Sequence, residues 1–270
     1  MLRKATFVAT VLLAVAPGIA LAQHDPTYPR AVLFPGSLNL SAGTVAPGEP
    51  GNVISSVSGE QGVALMRRGP LFVIGFVDVT ARHDTDGLAW NRVTPGTGGV
   101  KLVAITRAGV IQAALGVSMY ARRDSIRASK AMFVNYWAGW RGDTGTLHRV
   151  LPETFPGYAF ASSGVITAAE PDNWITSLAV QQGATVVRAL GVAAIPFVGA
   201  SASADTAGHN WNNRTYVDGG VKFARSVGGG VVETGVARRL EVSHATGRTR
   251  SEPMVFVNYW LGWSPRYISR

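Results

Sequence analysis

The sequence predicts an all-β protein: about twelve antiparallel strands closed into a transmembrane β-barrel and built from an internal duplication. Three observations predict it. Apolar and polar residues alternate with a period of two in one segment after another beyond residue 30, the pattern of strands whose two faces meet different surroundings. The connections alternate between tight glycine-bearing turns and long polar stretches, the layout of outer-membrane barrels. A tryptophan-rich block also occurs twice.

Composition narrows the field. The chain has 270 residues, of which 47% are apolar and 15% charged, with 32 glycines and no cysteine. Charge this sparse argues against a long charged helix or a disordered tail. The lack of cysteine excludes a disulfide scaffold, a thiolate zinc site and a thiol nucleophile. The formal charge is +9, but the bases are scattered singly or in short arginine pairs. That distribution argues against nucleic acid as a partner.

Residues 1–22 read as a signal peptide. Met1-Leu2-Arg3-Lys4 is a positive n-region, Thr6–Ile19 an apolar core, and Ala20-Leu21-Ala22 a cleavage site. The expected mature chain, 23–270, is then one domain exported into the envelope of a Gram-negative cell, with the outer membrane as its destination. No other stretch is apolar for long enough to cross as a helix, so a membrane crossing requires a closed barrel. Its expected partners are outer-membrane lipids and the barrel-assembly machinery.

The strands follow in order. Ala31–Leu40 is a poor candidate because Pro35 interrupts it, and Gln61–Met66 is short. Leu71–Arg82, Gly99–Arg107, Ile111–Arg122, Met132–Trp140, Tyr158–Ala168, Trp174–Gln182, Val192–Ser203, Thr215–Arg225, Val231–Val242 and Met254–Trp263 complete the set. Sandwich strands average about 5–6 residues, whereas a tilted membrane crossing needs about 9–11. Tight turns are expected at Arg67–Pro70, Arg107–Gly109 and Val227–Gly230, on the periplasmic side, together with a longer connection at 141–157. Long loops are expected at 83–97, 123–130, 204–214 and 243–252, on the cell surface.

Phe133-Val134-Asn135-Tyr136-Trp137-Ala138-Gly139-Trp140 recurs as Phe256-Val257-Asn258-Tyr259-Trp260-Leu261-Gly262-Trp263. Gly87-x-x-Trp90-Asn91 and Gly99-Val100-Lys101 recur as Gly208-x-x-Trp211-Asn212 and Gly220-Val221-Lys222. The expected halves are about 57–141 and 174–263. Joining both in one barrel leaves neither with an exposed sheet edge.

Catalytic chemistry is not evident. The five histidines form no H-E-x-x-H, none precedes a serine by two residues, and no G-x-S-x-G occurs. The expectation is therefore no enzyme, no catalytic residue, no cofactor and no metal. His83, Asp84 and Asp86 read as a solvated loop face. The alternation turns Asn135, Trp137, Asn258 and Trp260 inward as lumen candidates. It leaves Tyr136, Trp140, Tyr259 and Trp263 outward as an interfacial girdle. Trp90, Asn91, Trp211 and Asn212 are the loop candidates. Lys101, Arg107, Arg122, Lys222 and Arg225 are expected in the lumen or at the rims, because a charge facing mid-membrane lipid costs about 2–4 kcal/mol. An excess of base in the lumen would favour anions.

The signal peptide, the duplicated hairpins with Gly-x-x-Trp-Asn, and the Gly-Gly-Val-Lys elements resemble the barrel domain at the C-terminus of the phage-adsorption outer-membrane protein NfrA. The likeness covers residues 57–263. Stand-alone relatives of that domain accompany exopolysaccharide systems, so it implies a structural or export role in polysaccharide secretion or surface display. It also implies polysaccharide-export components as partners, and no catalytic residue. The competing readings are an outer-membrane lipid or lipid A hydrolase and a secreted β-sandwich binding module.

Overall fold

The computed structural model describes residues 35–44, 52–86, 94–121, 126–143, 154–165, 172–209 and 212–263. The expected signal peptide, Trp90, Asn91, Arg122 and Trp211 lie outside them. Thirteen strands follow one another: β1 (Gly36–Gly43), β2 (Ile54–Arg68), β3 (Leu71–Asp84), β4 (Thr94–Thr106), β5 (Gly109–Ala121), β6 (Ile126–Asp143), β7 (Thr154–Val165), β8 (Ile175–Gly183), β9 (Val187–Ala189), β10 (Val192–Asp205), β11 (Arg214–Val227), β12 (Gly230–Ser243) and β13 (Thr249–Trp263). All pairings are antiparallel. β1 closes onto β13, and β10 pairs with both β8 and β11. Among the described residues β9 pairs with β10 alone, and it continues β8 past an interruption at 184–186. The ring therefore has twelve staves and no open edge, as a membrane-spanning sheet requires.

Two turns show how short connections are built. Gly228 and Gly229 both have positive φ (57° and 82°), and so do Leu190 and Gly191 (51° and 77°). That two-residue geometry matches the twist of the flanking strands.

The strands are longer than their sequence pattern indicated. β2 has 15 residues and β6 has 18, so much of the expected loop at 123–130 belongs to β6, and 249–252 belongs to β13. Beyond the apolar band polar side chains can flank a continuing ladder, so alternation fades before the hydrogen bonds end. Pro35 does not interrupt β1 but precedes it, and its carbonyl accepts from the Gly62 amide at 2.8 Å.

The faces divide by residue parity. Outward positions are apolar and exposed: Val100, Leu102, Leu115, Val117, Val134, Leu178, Val198, Val236 and Val257 among them. Inward positions hold the buried Phe76, Lys101, Ala114, Phe133, Phe197, Lys222, Met254 and Phe256. An apolar exterior around buried charge is the inverse of a water-soluble domain. It fits a barrel whose solvent is lipid. No helix of the described residues is long and apolar enough to cross a membrane; strands make the crossing.

Contacts recur between β1–β6 and β7–β13 at an offset of 121 residues, which becomes 123 in the last strand of each half. Phe76 meets Phe133 edge-on at 6.1 Å, and Phe197 meets Phe256 edge-on at 6.0 Å. Gln61 donates to the carbonyls of Pro35 (3.3 Å) and Gly62 (2.8 Å), and Gln182 donates to those of Pro156 and Gly183 at the same distances. The ladder irregularity at Ala64/Met66 in β2 falls at the level of the β8–β9 interruption. These correspondences begin at β1 and β7, upstream of residues 57 and 174.

Candidate functional site

The site is the lumen, and its contents follow from strand parity. On one wall the Lys101 ammonium, 3% exposed, reaches Glu60 on β2 and Gln112 on β5, the latter at 3.4 Å. On the opposite wall Lys222 reaches Gln181 at 2.6 Å and Glu233 at 2.8 Å. Each ammonium also stands over a ring, Phe76 at 5.3 Å and Phe197 at 5.7 Å. Each lysine thus has one carboxylate and one amide, but the two have changed places. The acid is on the β2 side in one half and on the β12 side in the other. A buried lysine needs a counter-charge more than it needs that charge at one position.

Higher in the lumen Arg239 forms a two-pronged pair with Asp218 (2.7 Å on both arms), and Arg214 meets Glu241 at 2.9 Å. Lys101, Lys222, Arg214 and Arg239 are thus each matched by an acid, so at these four positions the expected excess of base is not seen. Arg107 and Arg225 lie at the short-turn rim, exposed.

Asn135, Trp137, Asn258 and Trp260 share the inward parity of Phe133 and Phe256. Trp137 pairs with Val110 and Trp260 with Val231, close to the short turns. Each indole lies over the glycine two residues on: a Cβ at Gly139 or Gly262 would come within 2.8 Å of the ring. The rings are 48% and 50% exposed, standing clear of the packed interior. β6 and β13 are the sixth and twelfth staves, half a circumference apart. Asn135 Oδ1 is buried without a hydrogen-bond partner.

The outward set occupies the same end. The Tyr136 hydroxyl donates to the Ala108 carbonyl at 2.6 Å. Trp140 stands over Gly157 and donates its indole N–H to Gln182 at 2.9 Å. Trp263 stands over Gly36, whose other neighbour is Gln61, but here the indole N–H and the Gln61 Oε1 are buried without a hydrogen-bond partner.

At the long-loop end Asn212 joins a cluster unforeseen in the sequence. The Asp205 carboxylate is fully buried and accepts from Asn212 at 2.7 Å, Asn213 at 2.8 Å, Asn173 at 2.9 Å and the His209 amide at 3.0 Å. Asn173 in turn accepts from Thr206 (3.4 Å) and the Ala207 amide (3.1 Å). Asn212 therefore pins the loop to the rim. Asn52 receives the equivalent bonds from Thr85 (3.2 Å) and the Asp86 amide (3.4 Å). Asp84 is fully buried, not solvated. The recurrence of Asn52 and Asp84 as Asn173 and Asp205 was the available signal. Among the described residues no three His, Cys, Asp or Glu side chains are grouped to hold a metal ion.

No protein-family model matches the sequence, and no curated protein matches it. Solved structures do. The β-domain of the Bordetella autotransporter BrkA matches over 85% of this chain and 98% of that one, with 11% identity and a TM-score of 0.40. The COG4313 outer-membrane channel of Pseudomonas putida F1 matches over 88% and 99%, with 10% identity and a TM-score of 0.41. OmpT, an outer-membrane protein of Vibrio cholerae, matches in a loop-deletion form over 86% and 99%, with 8% identity and a TM-score of 0.34. One expectation is corrected at this point: nothing in these comparisons supports a non-enzymatic class, and missing motifs do not exclude catalysis. The closed ring, its apolar exterior and its charged interior give the chain the architecture of an outer-membrane β-barrel.

Proposed function

We propose that this outer-membrane barrel serves exopolysaccharide secretion or surface display, as the likeness to the NfrA-type barrel domain implies. The observation that carries the reading is the inward, half-exposed Trp137 and Trp260 on opposite walls. Indole faces flanked by the amides of Asn135 and Asn258 suit a sugar chain, whose rings offer C–H faces to stack and hydroxyls to hydrogen-bond. In this reading the short-turn end is periplasmic, the signal peptide is removed after Ala22, and polysaccharide-export components deliver the chain to that end. The two halves descend from one duplicated unit, a descent supported by the lysine clusters, the phenylalanine pairs and the Trp–Gly–Gln stacks that recur in both.

Eight-stranded barrels are filled by their own side chains and sixteen-stranded ones leave a channel; at twelve, two facing indoles narrow the lumen. Replacing Trp137 and Trp260 together with alanine is expected to raise the conductance of the reconstituted barrel more than replacing Tyr136 and Tyr259. A larger increase from the tyrosine pair would overturn the proposal, as would unimpaired polysaccharide secretion by cells lacking the protein.

A further inference from the structure

We propose that the lipid-facing wall carries two equivalent binding sites for the phosphates of lipid A, one built on Lys130 and the other on Arg238. The inference goes beyond the secretion reading and takes from it only the orientation, with the long loops at the cell surface.

Strand parity sorts charge between the two faces of the ring. The outward positions of the described strands hold Arg68, His83, Lys130, Arg225 and Arg238, and no Asp or Glu. Arg68 and Arg225 sit at the short-turn ends of β2 and β11, and His83 is the penultimate residue of β3. Of the five, Lys130 and Arg238 stand within the body of a strand, and both are exposed. They also mark one place in the two halves. Gly98, Val117 and Lys130 lie side by side on β4, β5 and β6. Their counterparts Gly219, Arg238 and Pro253 lie side by side on β11, β12 and β13. The residue type differs and the strand differs by one stave, but each half keeps one base at this level.

That level is the upper edge of the apolar band. Lys130 is ten residues from Trp140, and Pro253, the neighbour of Arg238, is ten from Trp263. Ten residues at about 3.3 Å each, tilted by about 40°, rise about 25 Å along the barrel axis, the height of a lipid-facing band. The outward tryptophans therefore sit at one interface and the two bases at the other, toward the long loops. A base facing lipid is costly at mid-membrane depth and nearly free at the interface, where its apolar stem lies along the wall and its charge reaches the headgroups. Arg238 Nε donates to the Ser251 hydroxyl at 2.8 Å, which holds the guanidinium against the outer face. A Cβ at the adjacent Gly219 would meet nothing within 4 Å, so there is room for a headgroup beside it. A wall with bases and no acid favours an anionic headgroup, and both ammonium and guanidinium are phosphate partners. Lipid A carries two phosphates on a compact disaccharide and forms the leaflet that these bases face.

The test counts lipids held by the detergent-folded full barrel in native mass spectrometry. The probes are bisphosphorylated lipid A, lipid A stripped of both phosphates, and phosphatidylglycerol. Two molecules of bisphosphorylated lipid A are expected per barrel, and none of the stripped form. K130Q and R238Q should each lower the count to one, and K130Q/R238Q should weaken binding by about tenfold or more. R68Q/R225Q, at the opposite rim, should leave the count at two. A heat-modifiability gel establishes that each variant is folded, and the phosphate dependence of the unaltered barrel tests the proposal without any variant. Equal retention of stripped lipid A overturns the proposal, as does retention insensitive to K130Q/R238Q or lost only in R68Q/R225Q. If phosphatidylglycerol binds as tightly, the bases take any anionic lipid and lipid A is refuted as their ligand. Protease access to the β10–β11 loop on intact cells reads the orientation separately, so a wrong orientation and a wrong ligand are told apart.

Discussion

At the scale of single residues, Lys101 and Lys222 carry the most energetic information. Each is buried and bonded to one carboxylate, Glu60 in the first case and Glu233 in the second, and Asp78 beside Glu60 adds a second negative charge near Lys101. Glu60→Gln leaves Lys101 bonded to two amides with Asp78 as the nearby acid that remains, and breaking a buried pair costs up to about 3 kcal/mol. Adding Gln112→Glu supplies the acid at the position it occupies around Lys222, and is expected to recover most of the loss. Denaturant unfolding of the detergent-folded barrel measures both steps. A double variant no more stable than Glu60→Gln would mean that the position of the charge matters, not only its presence. The side-chain directions were legible in the sequence because a strand's parity cannot slip by one without inverting a whole face. The lysine clusters were not legible. Their members sit 41 and 11 residues apart in sequence and meet only when strands two staves apart close over one lumen.

At the scale of elements, strand number and order were legible and strand ends were not. β6 begins at Ile126, among Arg127, Ser129 and Lys130, residues with the composition of a loop. They extend the ladder because outside the membrane a strand needs backbone partners, not apolar faces. β9 was missed for a related reason: three residues after an interruption carry too little alternation to register. The β10–β11 loop makes a prediction at this scale. Asp205 holds it with bonds from three asparagines and the His209 amide. Asp205→Ala leaves those donors without their acceptor. The loop should then be cut by protease added to intact cells, while the barrel itself still shifts on a heat-modifiability gel. Loop cleavage equal to that of the unaltered chain would count against the clamp, and cleavage only after permeabilisation would invert the proposed orientation.

At the scale of the whole molecule, the junction between β6 and β7 and the closure between β13 and β1 are built alike. Trp140 stands over Gly157 beside Gln182, and Trp263 stands over Gly36 beside Gln61. One junction is bridged by residues 144–153, and the other is where the first and last strands meet. The ring consequently has no privileged starting point, and chain connectivity and architecture are separable. Joining the end of β13 to the start of β1 through a linker of the length of 144–153, and opening the chain within 144–153 behind the same export signal, should give a circular permutant with the same heat-modifiable barrel. A permutant that fails to close, when the same linker inserted within 144–153 of the parent is tolerated, would show that assembly depends on the order in which strands emerge and not only on the finished fold.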